Sequence, residues 1–189
     1  MEIPEILKEY IPYNEQEEKD KELITYCLKT LDNIYTRESK LAHFTASSWI
    51  VNKDRSKTLM IFHKQYNSWA WTGGHCDGET NFLKVALKEA KEETGLENIS
   101  PISSNIFSIE ILGVDGHIKK EEYVSSHQHI NITYLLEANE NETLRIKEDE
   151  NTGVKWFPIE QAIEVSTETA MKDVYKKLNE KMKLNFPRT

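Results

Sequence analysis

The stretch KEAKEETGL, from Lys88 to Leu96, constrains the fold more than any other part of this sequence. The sequence predicts a helix from Asn81 to Thr94, ended by Gly95 as a left-handed cap. One arc of this helix, about 100° wide, carries three acidic side chains. They are Glu89, Glu92 and Glu93. Like charges at this spacing destabilise a helix by about 0.2–0.5 kcal/mol per pair, so their clustering needs an explanation.

Two interpretations of this acidic arc are open. The carboxylates could form a solvated face beside neighbouring lysines, or they could bind a divalent cation, because hard ions such as Mg²⁺ prefer oxygen ligands. Gly73 and Gly74 precede the helix and favour the second interpretation, since a Gly-Gly turn lets the backbone approach a ligand closely. The face that packs on the core is predicted beside this arc. Its members are Leu83, Leu87, Ala90 and Thr94.

The segment Gly73–Leu96, GGHCDGETNFLKVALKEAKEETGL, resembles the Nudix box. That pattern is Gly, five residues, Glu, seven residues, Arg-Glu, an apolar residue, any residue, Glu-Glu, any residue, Gly and an apolar residue. Two positions depart from it, Thr80 in place of the first Glu and Lys88 in place of Arg. Read from Gly74 without gaps, the other defined positions match. They are Gly74, Glu89, Ala90, Glu92, Glu93, Gly95 and Leu96.

The departure at Thr80 leaves two possibilities. Either Glu79, one residue earlier, substitutes for the missing carboxylate, or the site works with one carboxylate fewer. Thr80 itself is expected to cap the helix. Lys88 keeps the positive charge of the family's Arg but lacks the planar guanidinium, so its pairing with a Glu should be looser.

The resemblance implies a pyrophosphohydrolase that cleaves a nucleoside diphosphate linked to another moiety. It implies that Mg²⁺ or Mn²⁺ is held by Glu89, Glu92, Glu93 and the carbonyl of Gly73, and that water attacks phosphorus. A Glu acts as the base.

Glu89 is the first choice for this base. The second choice is Glu150, in the polar loop before the segment VKWF. Glu150 also fits a solvated loop acid.

Three histidines are candidates for substrate binding. His127 and His129 share one face of the strand predicted in SSHQHINITYLLEA, and His75 follows the Gly-Gly turn. They could face the phosphates or a base. The alternatives are a polar outer face of the sheet for the first two and a solvent-exposed loop position for His75.

The remaining sequence predicts one α/β domain with a helical extension. Residues 1–41 form the extension, in which Asn14 and Glu17 resemble a capping box. Strands are expected at about 44–51, 58–64, 105–117, 128–137 and 154–157, a short helix after Pro158, and an amphipathic helix from Thr167. The resemblance implies that 42–189 form a Nudix-like α/β/α sandwich with a mixed β-sheet.

Composition limits the possible partners. The formal net charge of −8 argues against nucleic-acid binding, and an anionic nucleotide substrate would need local cations or a metal. Cys27 and Cys76 suggest no disulfide framework, so a cytoplasmic setting is expected. The sequence has no signal-peptide pattern and no apolar run of about 20 residues, so no membrane partner is expected. Oligomeric state is not predicted.

Two other functions stay open. A Nudix-like module could sense a nucleotide without turnover, and Thr80 and Lys88 keep that possibility alive. An isomerase of the isopentenyl diphosphate type has the same fold but needs a reactive Cys and a degenerate helix, whereas KEAKEETGL is almost intact. Markers of particular substrates are absent downstream of the box, so no substrate is named.

Overall fold

The computed structural model describes residues 3–119 and 121–187. These ranges contain five helices: α1 Ile3–Glu9, α2 Glu15–Thr30, α3 Phe82–Thr94, α4 Ile159–Val165 and α5 Thr169–Asn185. The first six strands are β1 Ala42–Val51, β2 Lys57–His63, β3 Ser68–Ala70, β4 Thr72–His75, β5 Ile99–Pro101 and β6 Ser108–Val114. The last four are β7 His117–Lys119, β8 Glu122–Val124, β9 His127–Ala138 and β10 Asn151–Pro158.

The main sheet has eight strands and is mixed. Its central order is β10-β2-β1-β9-β5, with β3 paired to β2, β4 to β1 and β6 to β9. The long pair β1 and β9 is parallel, and the other pairs are antiparallel. Strands β7 and β8 form a separate two-stranded sheet.

Helices cover both faces of the main sheet. On one face, Phe44 of β1 packs edge-on against Phe82 of α3, with ring centres 4.9 Å apart. On the other face, Trp49 stacks on Tyr175 of α5 at 5.2 Å. Alternate residues of a strand point to opposite faces, so β1 contributes to two hydrophobic clusters. The predicted α/β/α sandwich with a mixed sheet is confirmed.

The helical extension lies along the edge strand β6. Asp20 of α2 accepts a hydrogen bond from the Ile111 N–H at 2.9 Å, and the Gln16 amide donates to the Ile109 carbonyl at 3.3 Å. These bonds satisfy edge groups that would otherwise be open to another chain. Ile24 is fully buried in the same cluster as the sheet residues, so α2 is packed into the core.

Several local predictions agree with the structure. Asn14 caps α2 by accepting from the Glu17 N–H at 3.0 Å, Gly95 ends α3 at φ 75°, and α4 follows Pro158. The capping box is only half formed, because the Glu17 carboxylate accepts instead from the Tyr13 N–H at 2.8 Å.

Other local predictions were wrong. Asn81, and not Thr80, caps α3 by accepting from the Lys84 N–H at 3.1 Å. The predicted strand at about 105–117 divides into the shorter β6 and the start of β7. The core face of α3 is also rotated, because Leu83 and Leu87 are only half-buried. The buried residues of that face are Phe82, Val85, Ala86, Glu89, Ala90, Glu93 and Thr94.

Within the described part of the chain, each helix is too short or too polar to cross a membrane.

Candidate active site

The Gly-Gly turn of β4 packs directly against the acidic helix α3. A Cβ atom added at Gly74 would lie 2.6 Å from Cδ of Glu89, closer than real Cβ contacts come. The N–H of Gly73 donates to Oε2 of Glu93 at 2.9 Å. Glycine is therefore needed at Gly74 for steric reasons, because the carboxylate of Glu89 occupies the space of a side chain.

The three box carboxylates differ in burial. Glu89 is 8% exposed and Glu93 only 2%, whereas the side chain of Glu92 is 41% exposed. The sequence predicted one acidic arc beside the core face. The arc exists, but two of its members lie within the buried face because β4 and its glycines, which have no side chains, leave room for them.

Burial, together with the charges of Glu150 and Glu89, raises the pKa of Glu93 to about 8, against the opposing effects of the Gly73 N–H and Lys147. A carboxylate in this position is costly to ionise among other carboxylates. A nearby cation would remove that cost, so the donor set fits a hard divalent ion.

Lys88 contacts two of the box carboxylates. Lys88 Nζ lies 3.0 Å from Glu89 Oε1 and 3.5 Å from Glu92 Oε2. Its hydrogen bond to Glu89 raises the pKa of Lys88. A single ammonium thus reaches two box carboxylates through one oxygen each, in place of the paired contacts that an Arg would make.

The loop before β10 brings a fourth carboxylate to the cluster. Lys147 Nζ bridges Glu150 at 2.9 Å and Glu92 at 3.5 Å. The loop is fixed by Asn151, whose amide donates to the main-chain oxygen of Glu93 at 2.9 Å, and by the Lys64 N–H, which donates to the Glu150 carbonyl at 2.9 Å. Sequence reasoning placed Glu150 among the candidates but missed Lys147 and Asn151, which carry no motif.

Glu79 is held at the start of α3. Its carboxylate accepts from the Asn81 N–H at 3.0 Å and from Lys84 Nζ at 2.6 Å. These bonds hold the pKa of Glu79 below its usual value. Thr80 is exposed. Glu79 therefore has local partners at the helix N-terminus, where a negative charge is favourable.

The candidate histidines lie on the other face of the sheet. His75 follows Gly74 in β4, and Gly74 faces Glu89 on α3, so His75 points away from α3. His127 Nε2 lies 3.3 Å from His129 Nε2. A further histidine, His43 of β1, lies in the same group and was missed by sequence reasoning. Only the parallel pairing of β1 with β9 brings it there.

Two residues near the Gly-Gly turn, Cys76 and Trp69, pack against the hydrophobic core. Burial, together with the nearby charges of Asp77, Glu79 and Glu89, raises the pKa of Cys76 to about 12, so its thiol stays protonated. Trp69 packs edge-on against Phe157 at 4.8 Å between ring centres, as a core residue does.

Comparisons with known proteins agree with this geometry. The family model described as the NUDIX domain matches residues 42–178. The chain therefore belongs to the Nudix hydrolase family, which acts on the pyrophosphate bonds of nucleoside diphosphate derivatives. Members of the family generally use divalent cations. No curated protein matches this sequence.

Solved structures show the same fold. A C. elegans Ap4A hydrolase in a binary complex is 18% identical with a TM-score of 0.54, covering 72% of this chain and 95% of that one. A NUDIX family hydrolase from Clostridium perfringens is 22% identical with a TM-score of 0.53, covering 75% and 97%. The E. coli dihydroneopterin triphosphate pyrophosphohydrolase is 12% identical with a TM-score of 0.54, covering 71% and 92%.

Proposed function

We propose that this protein is a Mg²⁺- or Mn²⁺-dependent pyrophosphohydrolase that cleaves a nucleoside diphosphate linked to another moiety. The observation that carries the proposal is the packing of the Glu89 and Glu93 carboxylates against the Gly73–Gly74 turn, with Glu92 joined to Glu89 through Lys88. The similar structures include an Ap4A hydrolase and a dihydroneopterin triphosphate pyrophosphohydrolase, which supports a small phosphoanhydride substrate.

The proposed metal ligands are Glu89, Glu92, Glu93 and the carbonyl of Gly73. A bound divalent cation would neutralise and orient the diphosphate and lower the pKa of a bound water. The chain itself contributes the fixed geometry. Gly74 gives Glu89 its space, and the Gly73 N–H fixes one oxygen of Glu93.

Glu89 is our proposed base for the attacking water, and Glu150 is the second candidate. Glu89 is held by Lys88 next to the turn, whereas Glu150 is more exposed and held by Lys147. In either case the water oxygen forms a bond to phosphorus, the bridging P–O bond breaks, and the carboxylate receives the proton of the water. Lys88 and Lys147 stay close enough to offset negative charge on the diphosphate.

The isomerase alternative has less support. It needs a reactive Cys, and the buried Cys76 has a pKa raised to about 12. The sensing alternative differs from the enzyme in turnover alone. The substrate-binding role of His75, His127 and His129, the lack of nucleic-acid partners and the cytoplasmic setting stay predictions from the sequence.

Metal binding can be tested by thermal unfolding with and without Mg²⁺ or Mn²⁺. The wild type should melt higher with the ion, because a ligand that binds the folded state stabilises it by mass action. The double variant Glu92→Gln with Glu93→Gln should lose this response. Glu164→Gln, an exposed change in α4, should keep it. Equal responses from the wild type and the double variant would show that the metal binds elsewhere.

Turnover can be tested with a nucleotide panel under the same ions. We expect the wild type to release products from at least one diphosphate-linked nucleoside, and the double variant to be inactive. Binding of a panel nucleotide without any product would instead identify the sensing module.

A further inference from the structure

A cluster of histidines lies on the face of the main sheet opposite α3. One ring nitrogen from each of His43, His75 and His129 lies within 4.8 Å of the others. His43 precedes Phe44, which packs on α3, and His75 follows Gly74, which faces Glu89. Strand alternation therefore separates these imidazoles from the box carboxylates by the thickness of the sheet.

Backbone pairing brings the three rings together. His43 and His129 are direct neighbours in the parallel register of β1 and β9, and His75 pairs with Thr45 in the antiparallel register of β1 and β4. Residues on three hydrogen-bonded strands have fixed positions, so this arrangement does not depend on a flexible loop.

The spacing of the rings fits a tetrahedral ion. An imidazole centre lies about 3.2 Å from a zinc that it binds, so two such rings are roughly 5.2 Å apart at a tetrahedral angle. The centres of His43 and His75 are 5.2 Å apart, those of His43 and His129 5.1 Å, and those of His75 and His129 4.9 Å.

His43 has the hydrogen bonding of a metal ligand. Its Nδ1 lies 3.0 Å from the carbonyl of Ser39, which can only accept, so Nδ1 carries the proton. Its Nε2 is buried and has no hydrogen-bond partner among the described residues. A carbonyl that accepts from one ring nitrogen and leaves the other free for the ion is the usual arrangement at metal sites.

We propose that His43, His75 and His129 bind a divalent transition-metal ion of the zinc class, at a site separate from the carboxylate cluster on α3. Imidazole nitrogens favour such ions, whereas carboxylate oxygens favour Mg²⁺ and Mn²⁺. The two sites therefore select different metals. This proposal does not rest on the proposed hydrolase function.

An anion site is the main competing interpretation, and the environment of His43 disfavours it. Its Nδ1 proton is donated to the Ser39 carbonyl and is not available to an anion.

His127 lies at the margin of the site. Its Nδ1 is 2.8 Å from the Ser125 carbonyl and its Nε2 is 3.3 Å from Nε2 of His129. We assign it to the surroundings of the ion because the nitrogens that lie together come from the other three histidines.

A bound ion would tie β4 to β1 and β9 at the end of the sheet. His75 is the residue after Gly74, so the tie would also fix the turn that packs on Glu89 and Glu93. The expected effect on the fold is an increase in melting temperature with Zn²⁺ that Mg²⁺ does not reproduce.

The test is a titration of the metal-free full chain with Co²⁺, whose visible absorption is strong in tetrahedral sites, followed by displacement with Zn²⁺. We expect one equivalent to produce the band. His43→Gln, His75→Gln and His129→Gln should each abolish it. His63→Gln, a change outside the cluster, and Glu92→Gln, a change in the carboxylate site, should both leave it intact. His127→Gln should weaken Co²⁺ binding by about 10–100-fold without abolishing the band at saturating Co²⁺, which is the usual cost of changing a residue that only contacts a ligand.

Melting without metal shows whether each variant folds. If the variant of the buried His43 does not fold, the variants of the half-buried His75 and His129 still test the site. A band that survives in the folded His75 and His129 variants would overturn the proposal. A band lost with Glu92→Gln would place the ion on α3 instead, and equal loss with His127→Gln would overturn the three-residue assignment.

Discussion

At the level of single residues, the site depends on a glycine that packs against a carboxylate of α3. The Nudix box requires Gly at Gly74, and the structure gives the reason, since the Glu89 carboxylate fills the space that a Cβ would occupy. The departure at Lys88 is accommodated because its ammonium still reaches Glu89 and Glu92. Beside the departure at Thr80, the Glu79 carboxylate accepts hydrogen bonds from Asn81 and Lys84, and its compensating role stays a prediction.

Gly74→Ala should displace Glu89 and disturb the metal site. Inserting a methyl group into such a tight contact costs about 1–3 kcal/mol. We expect a lower free energy of unfolding in urea and a smaller Mg²⁺-induced rise in melting temperature. The matched control is Gly113→Ala, where a Cβ would meet its nearest atom, Gln128 Oε1, at 3.9 Å. If both variants behave alike, the close packing of Gly74 on Glu89 affects neither the stability nor the response to Mg²⁺.

At the level of helices and strands, α2 bonds to both the edge strand β6 and the C-terminal helix α5. It satisfies the edge of β6 through Asp20 and Gln16 and sends Glu17 into the interior. There the Glu17 carboxylate accepts a hydrogen bond from Lys181 at 2.7 Å and forms an ion pair with Lys177 at 3.1 Å, both on α5. The extension and the C-terminal helix are therefore held together by buried charge.

Glu17→Gln should lower the free energy of unfolding at neutral pH by about 3–5 kcal/mol, because it leaves Lys181 buried without its carboxylate. Lys177 keeps a second partner in Glu110 at 3.0 Å. Chemical denaturation measures the loss. Glu18→Gln, its exposed neighbour on α2, should change stability by no more than about 0.5 kcal/mol. A similar small effect at Glu17 would mean that the buried pair does not stabilise the fold.

At the level of the whole molecule, one buried hydrogen-bond chain joins the distant elements. It runs through the Ser108 hydroxyl, whose single proton is shared between Glu17 Oε1 at 2.8 Å and Glu110 Oε1 at 2.5 Å. Asn131 continues it by donating to Glu110 at 3.0 Å and accepting from Ser47 at 2.7 Å, next to Gly73. The α2–α5 junction is thereby connected to the strand pair that carries the Gly-Gly turn.

The stability of the protein should depend on the ionisation of Glu17 in acid. Burial alone would raise the pKa of this carboxyl, but the charges and hydrogen bonds of Lys177, Lys181 and Tyr10 outweigh it and lower the pKa from 4.5 to about 2. A depressed folded-state pKa gives stability that is complete above about 4.5 and is lost as pH falls toward 2.

Urea denaturation at a series of pH values from 6 down to 2 would measure this. The gap in unfolding free energy between wild type and Glu17→Gln should be largest near neutral pH and should shrink as Glu17 becomes protonated. A gap that stays constant over this range would contradict the pKa assigned to Glu17.

The sequence alone determined the acidic helix, its glycine cap, the Gly-Gly turn before it and the α/β/α class. The helix, its cap and the turn are local features, each fixed by residues within a turn or two of one another, whereas the α/β/α class followed from the resemblance of the box to a family. The box therefore gave the family and its candidate ligands from Gly73 to Glu93 without any tertiary information.

Tertiary structure decided which side chains meet. The burial of Glu89 and Glu93, the approach of Lys147 and Glu150, and the rotated core face of α3 all depend on packing between elements that are far apart in sequence. The histidine cluster shows this most clearly, because His43 and His129 are 86 positions apart and become neighbours only through the parallel pairing of β1 with β9. Register between distant strands is set by burial of the whole sheet, and no local pattern encodes it.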